Sequence, residues 1–154
     1  MLVAVLHSRA ISGMDAPPAT VEAHLANGLP SFTIVGLPDT ELKEAKDRVR
    51  AALQTARFEF PARRIIVNLA PADLPEESGR FDLPIALGIL AATGQIPGDQ
   101  FAKFEFAGEL ALTGELRPIR GALAMTYSAH RSGCAFVLPE INAPEAALVR
   151  DAVV

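Results

Sequence analysis

Residues 63–94 read RRIIVNLAPADLPEESGRFDLPIALGILAATG, and this stretch decides the fold. Ile65 to Leu69 is a near-continuous apolar run rich in β-branched residues, the composition of a central strand covered on both faces. A loop rich in proline and acid follows, closed by a tight Gly79-Arg80-Phe81 turn. Beyond it, Leu83, Ile85, Ala86, Leu87, Ile89, Leu90 and Ala92 leave a helix with no polar side, which belongs in the middle of a domain. Asp82 suits the N-cap, where a carboxylate takes an orphan backbone N–H. Pro84 falls in the first turn, where a missing N–H costs nothing.

Outward from that centre, Met1 to Arg9 reads as a strand. Thr20 to Ala26 alternates, with Val21, Ala23 and Leu25 on one face and Glu22 and His24 on the other, as a half-exposed strand does. Asn27-Gly28 predicts a hairpin that returns through Ser31 to Gly36. Pro38-Asp39 opens a helix to about Ala56, whose apolar stripe is Leu42, Ala45, Val49, Leu53 and Ala56. Glu41, Glu44, Asp47, Arg48 and Arg50 are read as its solvated face, with Glu44 and Arg48 spaced for an i,i+4 pair. On the C-terminal side, Gly94 ends the central helix. Two strands, Glu105 to Leu112 and Glu115 to Ile119, join across Thr113-Gly114. A helix from about Gly121 to Ser132 stops at Gly133, with His130 and Arg131 in its last turn. Cys134 to Leu138 is a short strand, Asn142 and Pro144 start a last helix, and Val153-Val154 begins a further strand. A sequence stopping in mid-element predicts a piece of a longer protein. The sum is an α+β (mixed α/β) domain with one layer of sheet and one of helices, spanning residues 1–154.

Half of the 154 residues are apolar and 21% are charged, enough for one domain with a sizeable core. A net charge of -4 gives no overall pull towards nucleic acid or anionic membrane. The single cysteine, Cys134, excludes an internal disulfide and fits a reducing, cytoplasmic compartment. No apolar run approaches the roughly 20 residues a membrane span needs.

The chemistry-bearing motifs are mostly missing. None of the three lysines, Lys43, Lys46 and Lys103, follows a glycine, so no phosphate-binding loop is present and the domain is not expected to hydrolyse ATP. Gly-x-Gly-x-x-Gly and Gly-x-Ser-x-Gly are absent too. His7, His24, His130 and Cys134 are the candidate metal ligands, but their spacing completes no tetrahedral site, and no metal is expected. Asp73, Glu76, Glu77 and Asp82 could supply paired carboxylates; three lie in a loop that reads as solvated.

Several stretches together carry a resemblance: VEAHLANGLPSFTIVGLPD, KDRVRAAL, FPARRIIVNLAPADLPEESGRFDLPIALGILAATG, FAGELALTGELRPIRGAL and AHRSGCAFVLP. They resemble, in fixed order and through nearly the whole chain, the N-terminal domain of the magnesium-chelatase-like family that includes YifB and the competence protein ComM. In that family the domain precedes an AAA+ ATPase module holding ATP and magnesium. The whole protein is similar to a hexameric ring helicase, acting in DNA branch migration during natural transformation. The resemblance also implies a fold like the Lon protease domain, shared with the end of the recombination protein RadA and with ribosomal protein S-five domain two. Aligned on that scaffold, the Lon serine falls on Asp82 and the Lon lysine on Leu123, so the reactive pair is lost and no catalytic residue is expected. What the resemblance leaves is ring assembly with copies of itself and contact with DNA, with no membrane partner. Arg63, Arg64, Arg80, Arg117 and Arg120, at strand ends and turns, are candidates for phosphate contact. For Arg80 and Arg120, bridging neighbouring subunits or pinning their own loops are the other readings. A divergent hydrolase using Asp82 and a protein-interaction module without DNA are the alternative functions.

Overall fold

The computed structural model of the chain describes residues 2–71 and 78–154. In chain order its elements are β1 (Val3–Arg9), β2 (Pro18–Ala26), β3 (Ser31–Val35), α1 (Asp39–Thr55), β4 (Arg64–Ala70), α2 (Asp82–Ala92), β5 (Phe104–Phe106), β6 (Glu109–Leu110), β7 (Leu116–Arg117), α3 (Ala122–Arg131), β8 (Ala135–Val137) and α4 (Ala143–Ala146). Six strands form one sheet in the order β3-β4-β2-β1-β5-β8, and β6 and β7 form a separate antiparallel pair. In the large sheet β2 runs against both its neighbours, while the other five strands run parallel to one another. This is an α+β fold.

The core lies between one face of that sheet and the helices α1 and α2. Strand alternation brings Ala4 and Leu6, Val21, Ala23 and Leu25, Phe32 and Ile34, and Ile65, Val67 and Leu69 to that face, all buried. Nine of the eleven residues of α2 are buried, which is why no polar stripe was needed. Gly88 lets this helix approach closely: a methyl there would stand 3.0 Å from Ala23 Cβ and 3.3 Å from Leu6 Cδ1. A second, smaller core gathers Ile119, Ala122, Met125, Ala129 and Phe136. Phe136 pairs in register with Glu105, and Glu105 with His7, so α3 packs on the face opposite α2, at the β5–β8 end. Helices therefore lie on both faces of the sheet, α1 and α2 on one and α3 on the other, rather than in a single layer.

Five expectations are corrected. The hairpin across Asn27-Gly28 does not form, because β4 lies between β2 and β3. Asn27 is absent from the left-handed residues and Gly28 has φ +137, so the primed turn that would fold β3 back is not made. β4 is covered on one face only; Ile66, Asn68 and Ala70 on its other face are half-buried. The expected strand Glu105–Leu112 is two strands, broken at Ala107-Gly108, whose N–H groups donate to Val137 and Arg80. Asp82 does not cap α2. A 3-10 turn, Ser78–Phe81, runs straight into the helix, leaving Phe81 in helical backbone at the cap position, with no side-chain cap bond. The last residues form no strand, although the Val153 carbonyl accepts from the Phe136 N–H.

Candidate functional site

Asp82 shows how the fold uses its one charge in an apolar helix. Placed at the start of α2 against α1 and β6, its carboxylate is wholly enclosed, and an enclosed charge must be paired. Arg48 of α1 supplies the pair: Nε donates to Oδ2 at 2.7 Å and Nη2 to Oδ1 at 3.1 Å. The Leu110 N–H donates to Oδ2 at 3.1 Å. Burial pushes the Asp82 carboxyl up to about 6 against the opposing pull of Arg48 and the Leu110 N–H. The hydrogen bond to Asp82 in turn raises the Arg48 guanidinium above its ordinary range. Four residues earlier, Ser78 Oγ donates to Glu41 of α1, so the entry to α2 is tied to α1 twice. Arg48 is thus not part of a solvated face, and its carboxylate partner is Asp82 rather than Glu44.

Leu123, the other position of the expected lost pair, is exposed in the first turn of α3, where its N–H donates to Glu145 Oε2 at 2.7 Å. It lines a surface groove with Tyr127 and Leu148, while Asp82 is sealed under α1. Asp73, Glu76 and Glu77 lie outside the described residues. Among the described residues no group of three or more His, Cys, Asp or Glu side chains stands close enough to hold a metal ion. The described helices include none long and apolar enough to cross a membrane.

The five arginine candidates split into two groups. Arg63 and Arg64 precede and open β4, whereas Arg80 comes ten residues after its other end, and seven residues of strand separate those ends by roughly 20 Å. Arg64, Arg117 and Arg120 are exposed and Arg63 is half-buried, its Nη2 donating to Asn27 Oδ1 at 3.3 Å. Arg80 is only 4% exposed; its Nη1 donates to the Arg120 carbonyl at 2.9 Å and reaches the Met125 sulfur at 3.3 Å, so it pins the turn before α3. Arg80 and Arg120 also line a pocket of about 210 Å³ with Glu109 and Ile119.

Two further polar fixtures escaped the sequence reading. Arg9, at the end of β1, donates to both oxygens of Glu105 at 2.6 and 3.0 Å, to the Ala16 carbonyl and to Ser132 Oγ. Its signal was a lone acid between two phenylalanines in a buried strand. The Asn142 side-chain amide pairs with both backbone groups of Ile119, at 2.9 and 3.0 Å, joining α4 to the turn before α3.

The sequence of the chain matches a known family. The family model described as subunit ChlI of Mg-chelatase matches residues 21–142. The chain belongs to that ChlI family. It is 54% identical over 151 residues to the competence protein ComM of Haemophilus influenzae, covering 98% of this chain and 30% of that protein. It is 50% identical to the uncharacterised protein YifB of Salmonella typhimurium, covering 97% of this chain and 29% of YifB. An uncharacterised protein of Mycobacterium bovis is 39% identical, with 92% and 28% covered. The chain thus spans less than a third of the length of the curated relatives it matches. Within this ChlI-family domain, the Arg48–Asp82 pair and the Asn142 amide lie inside the matched span.

Proposed function

We propose that this chain is the non-catalytic N-terminal domain of a cytoplasmic ComM/YifB-like AAA+ DNA helicase, hexameric when complete, that promotes branch migration in transformation and recombination. Its part is to align subunits and to contact DNA, while ATP and magnesium belong to the ATPase module of the full-length protein. The observation that carries the reading is the 54% identity to ComM along 98% of the chain. Asp82 supports it from the chemistry side. Its oxygens accept from Arg48 and Leu110 and none of its surface reaches water, a poor position for a nucleophile or a general base. Arg64, Arg117 and Arg120, the exposed members of the arginine set, are the phosphate contacts in this reading. Each adds little alone, and a ring multiplies them.

The test is branch migration of a four-way junction by the full-length protein, with ATP, for wild type and Arg64→Glu/Arg117→Glu/Arg120→Glu. The expected result is ATP-dependent migration in wild type and a shallower salt dependence of DNA binding in the variant. A full-length oligomer with no salt-sensitive DNA binding points instead to a protein-interaction module. Peptidase activity lost in Asp82→Asn points to a hydrolase.

A further inference from the structure

The two edges of the large sheet are treated differently. At the β8 edge the Phe136 N–H already donates to the Val153 carbonyl. At the β3 edge the pairing register sets which groups are free. Ser31 N–H donates to the Arg63 carbonyl, and Ser31 is in register with Arg64. In a parallel ladder this turns the backbone of Ser31, Thr33 and Val35 towards β4 and the N–H and C=O groups of Phe32 and Ile34 outward. No hydrogen bond among the described residues takes those outward groups. The strand, SFTIV, holds no charge, proline or bulge, the devices that normally keep such an edge from pairing with another chain.

Beside the start of this edge lies a pocket of about 280 Å³, lined by Pro30, Ser31, Arg50, Phe60 and Arg63 among others, and by no acidic residue. Arg50 lies over the Phe60 ring at 4.3 Å, which fixes its guanidinium. Among the described residues neither Arg50 nor Arg63 has a carboxylate partner; the ion pairs there are Arg9–Glu105 and Arg48–Asp82. Two cations without an acid, at the end of an unpaired strand, are complementary to a carboxylate on an incoming strand.

We propose that the β3 edge binds an extended peptide segment of a partner protein by strand addition, with an acidic residue near the segment's C-terminal end held by Arg50 and Arg63. The strand lies antiparallel to β3, because that direction brings its C-terminal end to Ser31 and the pocket. Phe32 and Ile34 supply the backbone bonds, and the two arginines select the acid. The inference stands independently of the helicase reading, since it uses neither the ring nor the exposed arginines assigned to DNA.

The test is fluorescence anisotropy of a labelled Thr-Val-Thr-Val-Asp peptide on the protein, with amide shifts mapped by NMR. Saturable binding with shifts at residues 31–35 and 60–63 is expected. Replacing the peptide's Asp by Asn, or the protein's Arg63→Gln, weakens it about tenfold, the loss of one charge-assisted bond. A peptide N-methylated at alternate residues, which leaves the protein untouched, does not bind. The proposal is overturned by no saturable binding, by equal affinity for the Asn peptide, or by shifts elsewhere. It is also overturned if a single-stranded oligonucleotide displaces the peptide with the same Arg63 dependence, which assigns the pocket to DNA.

Discussion

Arg48 reaches Asp82 from a helix surface with 22% of its side chain still in water, whereas Arg9 and Glu105 are enclosed together, with side chains 10% and 7% exposed. Both pairs bridge elements distant in sequence, and both remove a carboxylate from solvent. They differ in what remains if the arginine withdraws. Glu105 shares its arginine with the Ala16 carbonyl and Ser132 Oγ, so that site loses four bonds at once. Asp82 keeps the Leu110 N–H and has a carboxyl that burial has already moved towards its neutral form. Two arginine–carboxylate pairs of similar geometry thus carry different risks, set by the neighbours of the acid.

Arg9→Ala is expected to show the largest effect, a loss of about 4 kcal/mol of unfolding free energy in urea, near the middle of the range for stripping one partner from a buried pair. Arg48→Ala should cost less, about 3 kcal/mol at neutral pH, because Asp82 can take up a proton. Equal losses at the two sites would break the comparison. Acid sharpens it. Folded Asp82 binds its proton at about 6 against an ordinary 3.8, so the folded chain holds more protons between those values. Its contribution is therefore full below pH 3.8 and declines as pH rises to 6. The stability difference between wild type and Asp82→Asn should fall across that window and be flat above pH 7; parallel curves from pH 4 to 6 would show that the acid is not desolvated as described. The smallest effect belongs to the double variant Arg48→Met/Asp82→Leu. It should lose about 2 kcal/mol, since an apolar replacement of both partners leaves no orphan charge but strips the Leu110 N–H of its acceptor.

The central strand, the wholly apolar helix and the amphipathic α1 were legible because each depends on local periodicity, and their bounds fall within two residues of the reading. The sheet order was not. Asn27-Gly28 is a strong local signal for a hairpin, yet β4 takes the place beside β2 and pairs with β3 on its other side, a long-range choice that no turn motif encodes. Asp82 was misread for the same reason. Its neighbours in sequence suggest a cap, while its neighbours in space, Arg48 and Leu110, come from 34 residues before and 28 after. A signal for Arg48 existed: it stands between Ala45 and Ala52 at helical spacing, on the margin of the buried stripe. Of the arginine set, Arg80 was visible as a residue of interest but not as a buried one, because its partners include a carbonyl and a sulfur forty or more residues away.

The insertion of β4 between β2 and β3 also governs the order in which the chain can assemble. As it emerges during synthesis, β1 and β2 can zip together at once, but β3 has no neighbour until residue 64 and beyond arrive to fill the gap. The strand left waiting is also the one whose outward backbone groups take no hydrogen bond from the described residues, so the same five residues that wait for a neighbour during synthesis keep one unpaired row afterwards.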